Sequence, residues 1–556
     1  EVTTSKIASW QGTSTISIWA LVLSLALCGT AALAQSAAAS PPTEKIVSIS
    51  VCSPTGTGES VSCPPGSFDT HQIVLNPDGT SINEYFDAAS DEHSSVFSPG
   101  TLDGNGDYLF FLAGGTRMSL GPGAVVASGG ARPDENGQWT FDFPTADGYG
   151  YYGPGPTNFG HVLFASTAHH QCSVVANPVD QDQTFDMNYA APGSVVKDPT
   201  AGPGHLLMIY EGCNDCIGSS GGPKSGEGAY ISVGVATSID FGRTWPTYRG
   251  TSTFEFVPLP DANPTQCPDA PFGALGQSVC MGNDCTTPPP ASYGRYAVLA
   301  PPVSLAWLTA SGHPPSDAAH DSEPSAFVDD AGPGPDRYVY EVHCHNPGNA
   351  AGSQDQLPDG RDRDLTVARA KLNGGTAPLQ FLKWDGQSFS QPGIGGHEAQ
   401  ILPDGAFENC GDLEQARSAG SISYVVPTQQ YLLTFVCHSP TDPAGGKGKG
   451  GASGAAWFYA TTDDLSHQHW STPQEITGSW SEWAHVGCPS WKGWYPTFMS
   501  LGRKPGFLSV NGYVFYLWGC LAGGAETPGS RRYSSRAFSI TTGPIHPIRR
   551  RLRRTP

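Results

Sequence analysis

Short runs of aliphatic and aromatic residues, closed by Gly, Pro or Asp, recur along the whole chain. The stretch 192–245 shows the pattern most plainly. Gly193–Val196, Leu206–Tyr210 and Tyr230–Thr237 are strand-type runs punctuated by Pro/Gly turns. The same sequence of short run, turn and aromatic run occupies 98–115, 192–212, 323–343 and 421–438, and returns at 495–500, resuming at 506–519. Further strand-like runs follow in four of these units (VGVATSIDFGRTW, LTVARAKL with FLKWDG, WFYATTDDLSHQHWSTPQEI, SSRAFSITT). Five units of three or four strands predict an all-β chain, a five-bladed β-propeller whose closure protects its sheet edges.

The propeller is expected over 89–545, with an extension at 35–88 packing on it and a basic tail at 546–556. The segment 258–300, with Cys267, Cys280 and Cys285, reads as a disulfide-tied loop over one face. Before the repeats, the apolar stretch Ile16–Leu27 is too short to span a bilayer and is followed by Ala32-Leu33-Ala34. This predicts a signal peptide over 1–34, export to the periplasm or beyond, and no membrane association after cleavage.

Composition narrows the picture further. With 69 Gly, 49 Pro and only 14% charged residues, the chain suits a loop-rich extracellular protein. A formal net charge of -21 argues against a nucleic-acid partner, since the one basic run, at 549–554, reads as a solvated terminus. Cleavage would remove Cys28 and leave thirteen of the fourteen cysteines in an oxidising compartment, so disulfides are expected. Cys213, Cys344, Cys437 and Cys520 each follow an aromatic run, a placement suited to bridges to neighbouring loops. A monomer is expected.

The turn from Ser238 to Trp245, with Asp240 and Gly242, resembles the Asp-box of sialidases and other propeller proteins, and TTDDLSHQHW is a looser copy. Asp240 is expected to accept turn amides, Gly242 to take positive φ and Trp245 to anchor the hairpin. In the families that carry it this turn is structural, so it implies fold rather than chemistry. A sialidase-like exo-glycosidase would also need three arginines and usually an Arg-Ile-Pro, a tripeptide the sequence lacks.

A five-bladed propeller whose third unit opens His320-Asp321-Ser322-Glu323-Pro324-Ser325 resembles glycoside hydrolase family 43 and its invertase-type relatives. The resemblance implies a carbohydrate substrate of arabinan or xylan type, cleaved by acids on the innermost strands. It places Glu323 as the general acid. Ser98 and Ala191 stand where the family has Asp, and the nearby substitutes are Asp91 and Glu92 before the first unit and Asp186 before the second. Hydrolysis needs one protonated and one ionised carboxyl, held apart in pKa by repulsion and desolvation.

Arg417, His320, Trp494 and Tyr495 are the candidate substrate contacts, the aromatic pair belonging to a Trp-rich cluster at 480–495 suited to sugar stacking. Asp103–Asp107 begins like a calcium loop, but Tyr108 replaces the required Gly and Gly114 the closing Glu, so a hairpin turn is expected there. Glu341, His343 and His345 alternate on one strand face at metal-compatible spacing. No catalytic cofactor is expected, and the resemblance leaves room for a structural Ca2+. The alternative is a propeller that binds carbohydrate or protein without catalysis.

Overall fold

A computed structural model describes residues 42–51, 72–73, 95–97, 108–115, 124–133, 139–142, 189–214, 230–239, 241, 252–253, 280–281, 295–301, 319–331, 336–346, 364–376, 378–402, 418–438, 455–478, 491–522 and 525–545. Every regular element among them is a strand. β1 (Glu44–Val51) and β2 (Gln72–Ile73) come first, then the antiparallel meander of β3 (Ser95–Phe97), β4 (Tyr108–Gly115), β5 (Ala124–Pro133) and β6 (Trp139–Asp142). A second group comprises β7 (Tyr189–Lys197), β8 (Leu206–Asn214) and β9 (Tyr230–Ser238). β10 (Ser252–Thr253) pairs β11 (Cys280–Met281), and β12 (Arg295–Leu299) returns to β9. The third group is β13 (Ala319–Asp329), β14 (Tyr338–Asn346), β15 (Asp364–Lys371), β16 (Phe381–Trp384) and β17 (Phe389–Pro392). It joins the second through a short parallel pairing of β13 with β9. β18 (Ser418–Val425), β19 (Gln430–His438), β20 (Ala455–Thr462) and β21 (Gln474–Glu475) form the fourth. In the fifth, β22 (Trp491–Met499) pairs β24 (Asn511–Ala522), which pairs β25 (Ala525–Pro544), while β23 (Phe507–Leu508) between them crosses to β18. β1 is the outer strand of this last group, antiparallel to β25.

Alternation along the strands explains how consecutive groups pack. On β19, Tyr431, Leu433 and Phe435 face the third group while Leu432 and Val436 face the fifth. On β20, Phe458 and Ala460 likewise oppose Trp457 and Tyr459. Both faces are buried, so period-two patterning appears as nearly continuous apolar runs. Each fully buried ring contributes roughly 1.5–3 kcal/mol over its exposed state.

Consecutive groups meet in chain order. Val195 N donates to Ser95 Oγ at 2.7 Å, Ser194 and Ser325 hydroxyls lie 3.4 Å apart, and Tyr431 Oη donates to Asp329 at 2.9 Å. Tyr424 N donates to Gly506 O at 2.7 Å, and Gly502 N donates to Tyr108 Oη at 3.2 Å, linking the last group to the first. Strands β3, β7, β13, β18 and β22 all line one cavity of about 550 Å³.

Four of these strands carry one extra residue at the same register, between Pro192/Val195, Ser322/Ser325, Ser418/Ser421 and Trp494/Thr497. A bulge bends its strand and re-aims a side chain. At Glu323 and Tyr495 the bulge residue takes φ 56° and 55°, and a Pro follows each. A left-handed non-Gly residue costs on the order of 1–2 kcal/mol.

Several expectations fall outside the described residues: the leader, the calcium-like loop at 103–107, and Asp240 with 242–245. Of the turn beginning at Ser238, Phe241 is seen at φ 65°, its amide donating to Gly204 O at 3.0 Å. The looser copy is described in full. Asp464 accepts Ser466 N at 2.7 Å, and Trp470 is buried and donates to Gln468 Oε1 at 2.8 Å.

Candidate functional site

The layer between the second and third groups is apolar over most of its length and ionic at one end. On β8, Leu207 and Ile209 belong to its core, and alternation brings Glu211 onto the same face. On β14, Val339 is followed on that face by Glu341, His343 and His345. Thr366 follows below Ala368 and Ala370 on β15, and Lys383 follows Phe381 on β16. Each strand thus exchanges apolar for polar side chains as it nears the Glu323 end.

Glu323 sits at the bulge of β13. Freed from the ladder, its N–H donates to Glu211 Oε2 at 2.9 Å, across the gap between groups. Its carboxylate turns the other way, where Cys344 Sγ donates to Oε2 at 3.2 Å. Bond lengths then hold the Glu211 and Glu323 carboxyl carbons within roughly 9 Å of each other. Two carboxyls at such separations can serve as acid and as base or nucleophile in glycoside cleavage. Glu211 is only 7% exposed, while Glu323 is partly open to solvent.

Beneath this pair lies a fully buried ion network. Lys383 Nζ donates to Asp321 Oδ2 at 2.9 Å, to Ala300 O at 3.0 Å and to Glu398 Oε1. His345 Nδ1 lies 2.8 Å from Asp321 Oδ1, and His343 bridges Glu341 and Glu398, each at 2.7 Å. Burial would push the His343 imidazole down, but Glu341, Glu398 and Asp321 outweigh it and hold His343 well above the usual range. His345 is raised in the same way, burial being outweighed by Glu398 and Asp321. Burial would raise Glu398, yet Lys383, His343 and His345 hold it well below the carboxylate range. For Glu341 burial dominates, only partly offset by His343, and its carboxyl is raised.

Asp321, His345 and Glu398 bring ligand atoms within 4.8 Å of one another, close enough to hold an ion. The set does not fit Ca2+, which takes six to eight oxygens. Here the Lys383 ammonium already bonds both carboxylates, and an imidazole supplies the third donor. These residues make a self-compensated network, with Lys383 standing where a cation would.

Of the sequence candidates, Glu323 is placed beside a second carboxylate. Asp91, Glu92, Asp186 and Arg417 lie outside the described residues, as do the side chains of His320 and Trp494, whose backbones pair within β13 and β22. Tyr495 corrects the expectation of a sugar contact: its ring is buried in the core between the fourth and fifth groups. Cys344 corrects the expectation of a bridge, being a buried thiol against Glu323. The register also moves the comparison between repeats. The pairing aligns Glu323 with Gly193 rather than Ala191, and a Cβ at Gly193 would lie 2.5 Å from Ile209 O and 2.8 Å from Pro324 O. No side chain fits there, and the carboxylate that the second group brings to Glu323 comes from β8. Glu211 was the residue the sequence reading missed; the signal was a charge continuing the Leu207–Ile209 alternation.

No protein-family model matches the chain, and no curated protein does. Solved structures that resemble it include an N-acetylgalactosamine deacetylase from F. plautii in complex with blood group B trisaccharide. That match has 12% identity and TM-score 0.36, covering 86% of this chain and 95% of the other. The catalytic domain of the Coprinopsis cinerea GH62 α-L-arabinofuranosidase matches at 10% identity and TM-score 0.32, over 86% and 98%. An endo-1,5-α-L-arabinanase from Thermotoga petrophila RKU-1 matches at 12% and 0.32, over 83% and 75%. Likenesses this loose carry no argument about fold or chemistry, which rest on the chain's own pairing and contacts.

Proposed function

We propose that this chain is an exported glycoside hydrolase on a five-bladed β-propeller, with Glu323 as general acid and Glu211 as its carboxylate partner. The observation that carries the reading is the Glu323 bulge. A left-handed residue before Pro is strained, and such strain concentrates at functional sites. Here it presents a carboxyl at the bulge of an innermost strand, with a second carboxyl bonded to its own amide. The closed order of inter-group hydrogen bonds and the five strands lining one cavity support the propeller. Arabinan- and xylan-type glycans are the first substrates to try, with the chain acting as a monomer.

A second reading, a carbohydrate-binding propeller without turnover, is favoured by one observation: Ala191 and Gly193 leave the inner strand of the second group without an acid. Release of reducing sugar from a panel of plant and microbial glycans decides between them. The hydrolase reading predicts release from at least one glycan, lost in Glu323→Gln while that glycan still binds. Binding without release across the panel would select the second reading.

A further inference from the structure

The central cavity is not the Glu323 site. On β13 its lining begins at Ser325, two residues beyond Glu323, and runs on to Asp330, while on β7 it continues into the hairpin at 199–203. It therefore belongs to the opposite end of the inner strands. At about 550 Å³ it is of a size that holds a small organic molecule.

Its chemistry is graded along its length. Phe97, Val195, Phe327, Ile422, Phe498 and Phe507 make the walls apolar. At the hairpin end stand two lysines. The Lys504 ammonium pairs with Asp330 and lies 3.7 Å from the centre of the Phe507 ring. Lys197, half-buried, has no ion-pair partner among the described residues. The neighbouring Asp198 is committed elsewhere: it accepts from Thr200 N at 2.8 Å and Thr200 Oγ1 at 2.6 Å, and stands 3.9 Å from His205. Among the side chains that line the cavity, two ammoniums stand against one carboxylate at the lip of an apolar chamber. A carboxylate headgroup can bond Lys197 without displacing the Lys504–Asp330 pair, while an apolar body would cover walls otherwise wetted.

We infer that this cavity is a second ligand site, taking an organic anion with an apolar body, such as a medium-chain carboxylate, at the end of the strands remote from Glu323. Calorimetric titration of the full chain with decanoate and with decanol, both below their aggregation limits, tests it. Decanoate should bind at one site. Lys197→Met, which keeps an apolar stem, should weaken decanoate at least tenfold and leave decanol unchanged. Ala201→Trp, on the exposed hairpin that lines the mouth, should block both ligands without altering thermal stability. Glycan hydrolysis should be the same in both variants, since neither touches Glu323 or Glu211. Absence of decanoate binding, decanol binding as tightly as decanoate, or undiminished decanoate binding in either variant would overturn the proposal.

Discussion

Glu211 has two separable tasks. It accepts the Glu323 amide that the bulge removes from the ladder, and it offers the second carboxyl. Glu211→Ala would leave that N–H without its acceptor, costing about 1–3 kcal/mol. Glu211→Gln keeps an oxygen there, so denaturant titration should find its stability within about 1 kcal/mol of wild type. Its kcat/KM should nonetheless fall at least about tenfold, because an amide cannot act as base or nucleophile. Equal losses of stability in both variants would reduce Glu211 to a structural cap. At this scale Glu323 was legible because a Pro-led run follows it. Glu211 was not, because the repeat pattern points to acids where inner runs begin, whereas this one ends a second run. Tyr495 was misread for the converse reason: aromatic density near a run's start looks like a binding face, but the bulge turns that ring into the core.

Among the elements, the third group carries its charges where its strands' apolar alternation stops, and the network they form sets a pH dependence. Glu398 is depressed on folding, so its contribution is fully present above about pH 4.3 and lost as pH falls through the lower folded value. His343 and His345 are raised, so theirs is present below about pH 6.5 and lost as pH rises through the folded values. Thermal stability should therefore be greatest between roughly pH 4.5 and 6.5. Its alkaline fall should shrink in His343→Gln, and an unchanged fall would show that the histidines are neutral in the fold. Lys383→Met strands Asp321 and Glu398 without their cation and should cost about 3–5 kcal/mol by denaturant titration. The alternation of Glu341, His343 and His345 was visible in the sequence. Their partners were not, because Asp321, Lys383 and Glu398 come from three other segments, and Lys383 answers the metal question that the two histidines raise.

Across the whole molecule, the repeats were readable because every unit reuses one pattern of short run, turn and aromatic run. The joining of the ends was not: β1 lies some 490 residues from the part of β25 it pairs with, and its short alternating run carries no mark of its partner. The cavity was hidden too, since Phe97, Phe327 and Phe498 look like ordinary core residues until five strands are seen to surround one space. The strands differ in chemistry along their length, with a carboxyl pair at the bulge and a lysine-rimmed apolar chamber toward the far end.

The central claim, that Glu323 donates the proton to a departing sugar oxygen, is tested most directly by comparing leaving groups. Kinetics of wild type and Glu323→Gln would be measured on a cleaved glycan and on the nitrophenyl glycoside of the same sugar. A nitrophenolate departs without a proton, so the variant should lose about 10²–10⁴-fold on the glycan and far less on the nitrophenyl substrate. Equal losses on both, or none on either, would contradict the assignment.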